Sequence, residues 1–225
     1  MFRRRRRDET AETAPAAAED ATPEPARESG PWDSEESYPD IDRVDLGGML
    51  LPVGPGFEVQ LNVAGDQLVG AVVLVGESAL QVHAFAAPKR SGIWDEVRAE
   101  LAREVTGAGG SCEEREGPFG AELAAEVEQD GGLAPVRFIG VDGPRWFLRG
   151  VISGRAVTDA EIAGTLEDVV RDIVVVRGDQ PMAPKEPIEL RLPTEARQAV
   201  EQQASQQGRN GLNPFERGPE ITETR

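Results

Sequence analysis

Apolar positions along this chain follow two periods, and the clearest run is 135–177. Val136 to Val141 and Trp146 to Ile152 are β-branched and aromatic, which favours extended backbone. Asp142-Gly143 stands between them, a pair that suits hairpin turns because glycine takes positive φ without a Cβ clash. The pattern predicts a hairpin that turns there, with Pro144 opening the return strand. Alternation puts Trp146, Leu148, Gly150 and Ile152 on one face and Arg145, Phe147, Arg149 and Val151 on the other. Neither face is purely polar, so the hairpin is expected to be covered on both sides, in the middle of a sheet. After it the period becomes helical. Ile162, Leu166, Val169, Val170 and Ile173 recur at three- and four-residue spacing. Thr158 and Glu161 have capping-box spacing, and the helix is expected to end near Ile173.

The earlier half repeats this grammar. Phe57, Val59, Leu61 and Val63 alternate with Glu58, Gln60 and Asn62, a strand with one wet face. Leu68 to Val75 is a continuous apolar run, read as a strand buried on both faces. Leu80, Val82, Ala84 and Ala86 line one side of the next strand, with His83 on the other. Trp94, Val97, Leu101 and Val105 form the stripe of a helix with Ser91 as its N-cap. Further strands are read at Val44–Leu51, Phe119–Val127 and Ile188–Leu192. These elements predict an α+β fold, an antiparallel sheet packed by two principal helices. Val72–Val105 and Val136–Ile173 share the order strand, turn, strand, capped helix. A duplicated hairpin-helix unit would give this, and so would the wide recurrence of that architecture.

Composition then sets the boundaries. Residues 1–40 are basic, then rich in Ala, Pro and acid, and bury too little apolar area to order themselves. Trp32 is the exception, expected to dock on the domain. Residues 194–225 read as a disordered or partly helical tail. One α+β domain is therefore expected at 41–193. The chain of 225 residues carries a net charge of −17. Residues 41–193 hold 14 basic and 25 acidic groups, a surface that repels nucleic acid and anionic lipid and favours basic partners. Cys112 is the one cysteine, which rules out an internal disulfide and fits a reducing cytoplasm. No run of 18 apolar residues indicates a membrane helix. The opening arginines are followed by acidic residues, not by the apolar core of a signal peptide.

Chemistry is harder to find. Gly47-Gly48 and Gly54–Gly56 lack the Lys-Ser/Thr and helix of a phosphate-binding loop. His83 is the only histidine and has no visible nucleophile or carboxylate company. Three acidic neighbours disfavour a Cys112 thiolate. The acidic groups between Glu113 and Asp130 have no calcium-loop pattern and read as a solvated rim. No catalytic residue, metal ligand or cofactor is assigned. Arg145, Trp146 and Arg149 are the candidate contact residues, with core packing the competing role for Trp146. Arg3, Arg4, Arg5, Arg6 and Arg7 can contact phosphates or remain a solvated tail.

The start MFRRRRR and the segments DLGGMLLP, PRWFLRGVISGRA and VVVRGDQPMAPKEPIELRLP resemble an uncharacterised actinobacterial family, the domain of unknown function 3710. The likeness covers residues 41–193 plus the arginine start, and it implies no activity, substrate or site residues. Twenty-two arginines against two lysines also suit a GC-rich genome. Three readings follow. The first is a non-enzymatic cytoplasmic module that binds an unidentified protein partner. Its sheet, with helices on one face, would offer the other face or an edge. The second is a small-ligand binder or enzyme with a pocket between sheet and helices, where Arg137, Arg145 and Arg149 would face an anion. The third is a factor tethered to nucleic acid through Arg3–Arg7.

Overall fold

The computed structural model describes residues 29–64, 67–89, 92–129 and 131–193. The Arg3–Arg7 cluster, the tail as far as residue 28, the proposed cap Ser91 and everything from Thr194 onward lie outside these residues. In chain order the elements are β1 (Trp32–Asp33), β2 (Arg43–Asp45), β3 (Met49–Pro52), β4 (Glu58–Ala64), β5 (Gln67–Val75), β6 (Ser78–Ala86) and α1 (Trp94–Gly107). There follow β7 (Ser111–Gly117), β8 (Gly120–Gln129), β9 (Gly132–Gly143), β10 (Trp146–Gly154), a short 3-10 turn at Arg155–Val157, α2 (Ala160–Asp172) and β11 (Val174–Val175).

The fold is α+β. Seven antiparallel strands make the main sheet, in the order β4-β5-β6-β10-β9-β8-β7. Every neighbouring pair but one is a local hairpin. The exception, β6 against β10, joins the two halves of the chain and brings Phe85 opposite Phe147 and His83 opposite Arg149. A smaller sheet, β1-β11-β3-β2, is antiparallel except for β1, which runs parallel to β11. No helix among the described residues is long and apolar enough to cross a membrane.

The two helices lie on opposite faces of the main sheet, not on one. Trp146, Leu148 and Ile152 pack with Leu80, Val82, Leu166, Val170, Ile173 and the small sheet's Met49 and Leu51 in the principal core. Phe147, the next residue along β10, packs on the other side with Ile93 and Trp94 at the start of α1. Each large aliphatic side chain so buried contributes about 1.5–3 kcal/mol relative to exposure. The hairpin β9–β10 is thus covered on both faces, as its mixed pattern predicts. The helix placement also bears on duplication. A two-fold axis relating β5–β6 to β9–β10 across their antiparallel junction keeps each face on its own side. It would put both helices on the same face. They leave to opposite faces, which argues against a simple duplicated unit.

Several local expectations are corrected. The hairpin turns at Pro144-Arg145, since Gly143 and Trp146 are already paired. Pro144 followed by Arg145 at φ 60 is the combination a type II turn requires. Gly143 is needed for another reason: a Cβ there would collide with the Trp146 indole. The single strand expected at Val44–Leu51 is the tight hairpin β2–β3. Asp45 Oδ1 accepts from Gly47 N at 2.7 Å, and Gly47 takes φ 77. The polar stretch after Cys112 forms β7, an edge strand joined to β8 through backbone pairs, its acidic side chains exposed. The α2 cap is Asp159, whose carboxylate accepts from Glu161 N at 3.1 Å and Ile162 N at 3.4 Å. Thr158 is one residue too early and turns its hydroxyl to Arg155 O. Along β5, Ala71 and Val73 are buried, whereas Val72 and Leu74 on the α1 side remain part-exposed. Ile188 and Leu190 are buried, but the segment makes isolated bridges, Leu68 to Leu190 and Phe85 to Pro187, not a regular strand. The packed chain also begins before the expected boundary at 41. Asp33 accepts from Trp146 Nε1 at 2.6 Å, which fixes β1 beneath β10.

Candidate functional site

The α1 face of the main sheet carries a row of aromatic rings. Phe85 on β6 and Phe147 on β10 are cross-strand partners with centroids 6.0 Å apart. Trp94, the first residue of α1, stacks on Phe147 at 5.7 Å, and His83 continues the row beyond Phe85 at 6.2 Å. Backbone details hold the row in place. Asp142 is displaced from the turn, and its carboxylate accepts from Ile93 N at 2.8 Å and Trp94 N at 3.3 Å, so it caps α1 from the hairpin. Trp94 Nε1 donates to Ala121 O at 2.6 Å. Gly140 leaves room for the Trp94 ring, which a Cβ would strike. Gly70 does the same for His83, whose ring would lie 2.7 Å from a Cβ.

Arg149 projects into this row. Its guanidinium carbon lies 5.2 Å from the Phe85 centroid, a cation–π contact. It is half-buried, and its Nε is shut off from solvent with no hydrogen-bond partner among the described residues. No carboxylate among them reaches it within ion-pair distance; Glu104 acts on it only through space. Arg43, Arg98, Arg137, Arg145, Arg171 and Arg177 are also part-buried or buried, and each reaches a carboxylate or a carbonyl. Burial lowers the Arg149 guanidinium below the usual arginine value, and Glu104 offsets this only in part. The effect spreads to its neighbour. Burial, reinforced by the Arg149 charge, lowers the His83 imidazole to about 4, so it is neutral at pH 7. His83 Nδ1 is likewise buried without an acceptor or donor among the described residues.

The opposite face places its charges differently. Arg137 on β9 bonds Glu122 of β8 through Nε at 3.1 Å and Nη2 at 2.8 Å, and Glu167 of α2 at 2.9 Å. Arg115 of β7 adds a 2.6 Å bond to Glu122. Burial alone raises the Glu122 carboxyl, but the bonds from Arg137 and Arg115 outweigh it and hold the group below the carboxylate range. Glu122 therefore stays ionised and is unsuited to general-acid work. A cavity of about 410 Å³ opens beside this cluster, yet its buried charges are closed on one another. A hollow of about 650 Å³ near the Gly47-Gly48 turn is lined by Arg177, Glu189 and Arg191; Arg177 Nη1 bonds the Gln180 carbonyl, and Glu189 and Arg191 are exposed. The larger hollows thus lie away from Arg149. No cluster of three metal-binding side chains occurs among the described residues.

The sequence candidates separate accordingly. Trp146 is fully buried, so direct contact with a partner is excluded; its alternation with Leu148 and Ile152 puts it in the principal core. Arg145 sits in the turn, not on the strand, and lies 3.9 Å from Asp179. It does not stand beside Arg149. Arg137 is committed to Glu122 and Glu167 and does not face the same space as Arg149, because adjacent pairing puts them on opposite faces. Arg149 alone is placed with an unmet demand. The sequence reading missed Phe85 and Trp94 as its companions. The available signal was that Phe85 shares strand parity with His83, as Phe147 does with Arg149.

No curated protein matches the chain. Among solved structures, the solution structure of cyanobacterial PsbP (CyanoP) from Synechocystis sp. PCC 6803 is similar at 12% identity and a TM-score of 0.38. That similarity covers 63% of this chain and 98% of that one. The family described as protein of unknown function, DUF3710, matches over residues 30–199, the stretch that holds both sheets and both helices. The chain belongs to the DUF3710 family.

Proposed function

We propose that this is a non-enzymatic, cytoplasmic protein-interaction module whose contact surface is the uncovered part of the α1 face. The helix α1 lies across β7, β8 and β9 and leaves the part over β4, β5 and β6 without a helix. Val72 and Leu74 are part-exposed there, beside exposed Gln60 and Gln81. Arg149 and His83 mark the border between the covered and uncovered parts. The observation that carries the proposal is Arg149 itself: a half-buried cation with neither a hydrogen bond nor an ion pair among the described residues. A buried charge without a partner is costly, and a protein ligand that brings an acceptor or a carboxylate removes that cost. The cytoplasmic setting is supported by the single cysteine, Cys112.

The test is affinity purification of the tagged full chain from its own cells, beside Arg149→Glu and a variant lacking residues 1–7. Under this reading one defined partner is retained by the native chain and by the truncation, and is lost with Arg149→Glu. Retention by Arg149→Glu, with loss on removing Arg3–Arg7 and a steep fall with salt, would assign binding to the basic tail instead.

A further inference from the structure

A small cavity of about 130 Å³ adjoins Arg149 between the ring row and α1. Phe85, Ile93, Val97 and Phe147 give it an apolar lining, and Arg149, Lys185 and Glu100 supply its charges. Two of those charges cancel. Lys185 Nζ lies 2.7 Å and 2.8 Å from the two Glu100 oxygens and 2.9 Å from Glu96. Lys185 is held there by a strap across the end of β6: its N–H bonds Ala86 O at 2.8 Å, and Ala86 N bonds Glu186 O at 2.8 Å. It adopts φ 66 to do so. Lys185 is matched by two carboxylates, so the charge at this cavity with no carboxylate in ion-pair distance among the described residues is the Arg149 cation, on which Glu104 acts only through space.

We infer that this cavity, resting on the interaction reading above, is the subsite that takes a carboxylate of the partner polypeptide together with an adjoining short apolar side chain. The guanidinium is met best by a carboxylate, through parallel N–H···O bonds. Its place on Phe85 already orients its plane, so less freedom is lost on binding. A cationic or purely apolar group answers only one half of the site. The cavity has room for about seven heavy atoms at the packing of protein interiors, the size of a carboxylate together with a branched four-carbon group.

Isovalerate is a suitable probe, because it joins a carboxylate through one methylene to an isopropyl group. It is titrated into the full-length protein while the Arg149 Nε–H and the Phe85 and Phe147 ring signals are followed by NMR. Saturable shifts at these groups with a dissociation constant in the millimolar range are expected, the scale for a ligand of about seven atoms. Acetate and isopentanol should bind at least about tenfold more weakly, and Arg149→Gln should abolish the isovalerate shifts while its unperturbed spectrum elsewhere shows that it is folded. Equal shifts from acetate, or shifts unchanged in Arg149→Gln, would overturn the subsite. If isovalerate does not bind but the purified partner still depends on Arg149, this inference fails and the interaction reading stands. If isovalerate binds and no partner depends on Arg149, both the polypeptide subsite and the interaction reading fail, and the site accepts only a free carboxylate.

Discussion

Arg137 and Arg149 stand on neighbouring strands of one sheet, on opposite faces, and what meets each charge differs. Arg137 is met by Glu122 and Glu167, with Arg115 completing the cluster. Arg149 is met by an aromatic ring and by no carboxylate among the described residues. The chain has 41 acidic residues, so the difference does not come from a shortage of partners. It comes from position. β8 and α2 place carboxylates over Arg137, whereas the part of the sheet beyond Arg149 has no helix to supply them. The first arginine joins α2 to the sheet. The second leaves a charge for something else to meet.

Breaking the Arg137 side should have the largest effect. Glu122→Ala leaves the buried Arg137 cation with Glu167 alone and should destabilise the fold by about 3 kcal/mol in urea unfolding. Arg149→Glu should change stability far less. Next comes steric disruption of the ring row. Gly140→Ala forces a Cβ into the Trp94 ring and should cost about 1–3 kcal/mol, with shifted ring signals for Trp94 and Phe147 but not for Trp146. A smaller loss, about 1 kcal/mol, is expected for Asp142→Ala, which removes the α1 cap. Asp142→Asn should keep most of it, since the amide oxygen still accepts.

The pH dependence sharpens the comparison further. The folded His83 value, about 4, lies below that of an unfolded histidine near 6.5. Between the two, the unfolded chain binds a proton that the folded chain does not. Stability from His83 is thus complete above about 6.5 and is lost as pH falls toward about 4. Glu122 acts lower, because its folded carboxyl is held below the carboxylate range and its contribution disappears only in stronger acid. His83→Gln should flatten the unfolding midpoint between about pH 6.5 and 4.5, and Arg149→Met should narrow the same window by removing one of the two causes of the shift.

Much of the framework was legible because period reports burial. The α2 stripe, the α1 stripe and the two-sided hairpin all lie where apolar spacing puts them. What spacing did not reveal was which polar group serves which element. Asp142-Gly143 has the composition of a turn, but Asp142 caps a helix begun far earlier in the chain, and Pro144-Arg145 turns instead. The strand β7 escaped notice because an edge strand is held by its backbone, and its acidic side chains carry no alternation. Trp146 and Arg149 looked alike as contact candidates. Strand parity separates a core residue from one on the α1 face, but only the pairing of β6 with β10 shows that Arg149 meets Phe85 and His83. Its lack of an ion pair depends on Glu100 of α1 being taken up by Lys185, a contact between distant segments that no local pattern encodes.

The most direct measurement is urea unfolding of Arg149→Met against the native chain at pH 7. Methionine keeps an unbranched apolar stem on Phe85 and removes the charge. If the charge is there for a partner, the fold loses nothing with it, and the midpoint should be equal or higher. A loss of about 2 kcal/mol or more would show that Arg149 holds the sheet together, and would contradict the account.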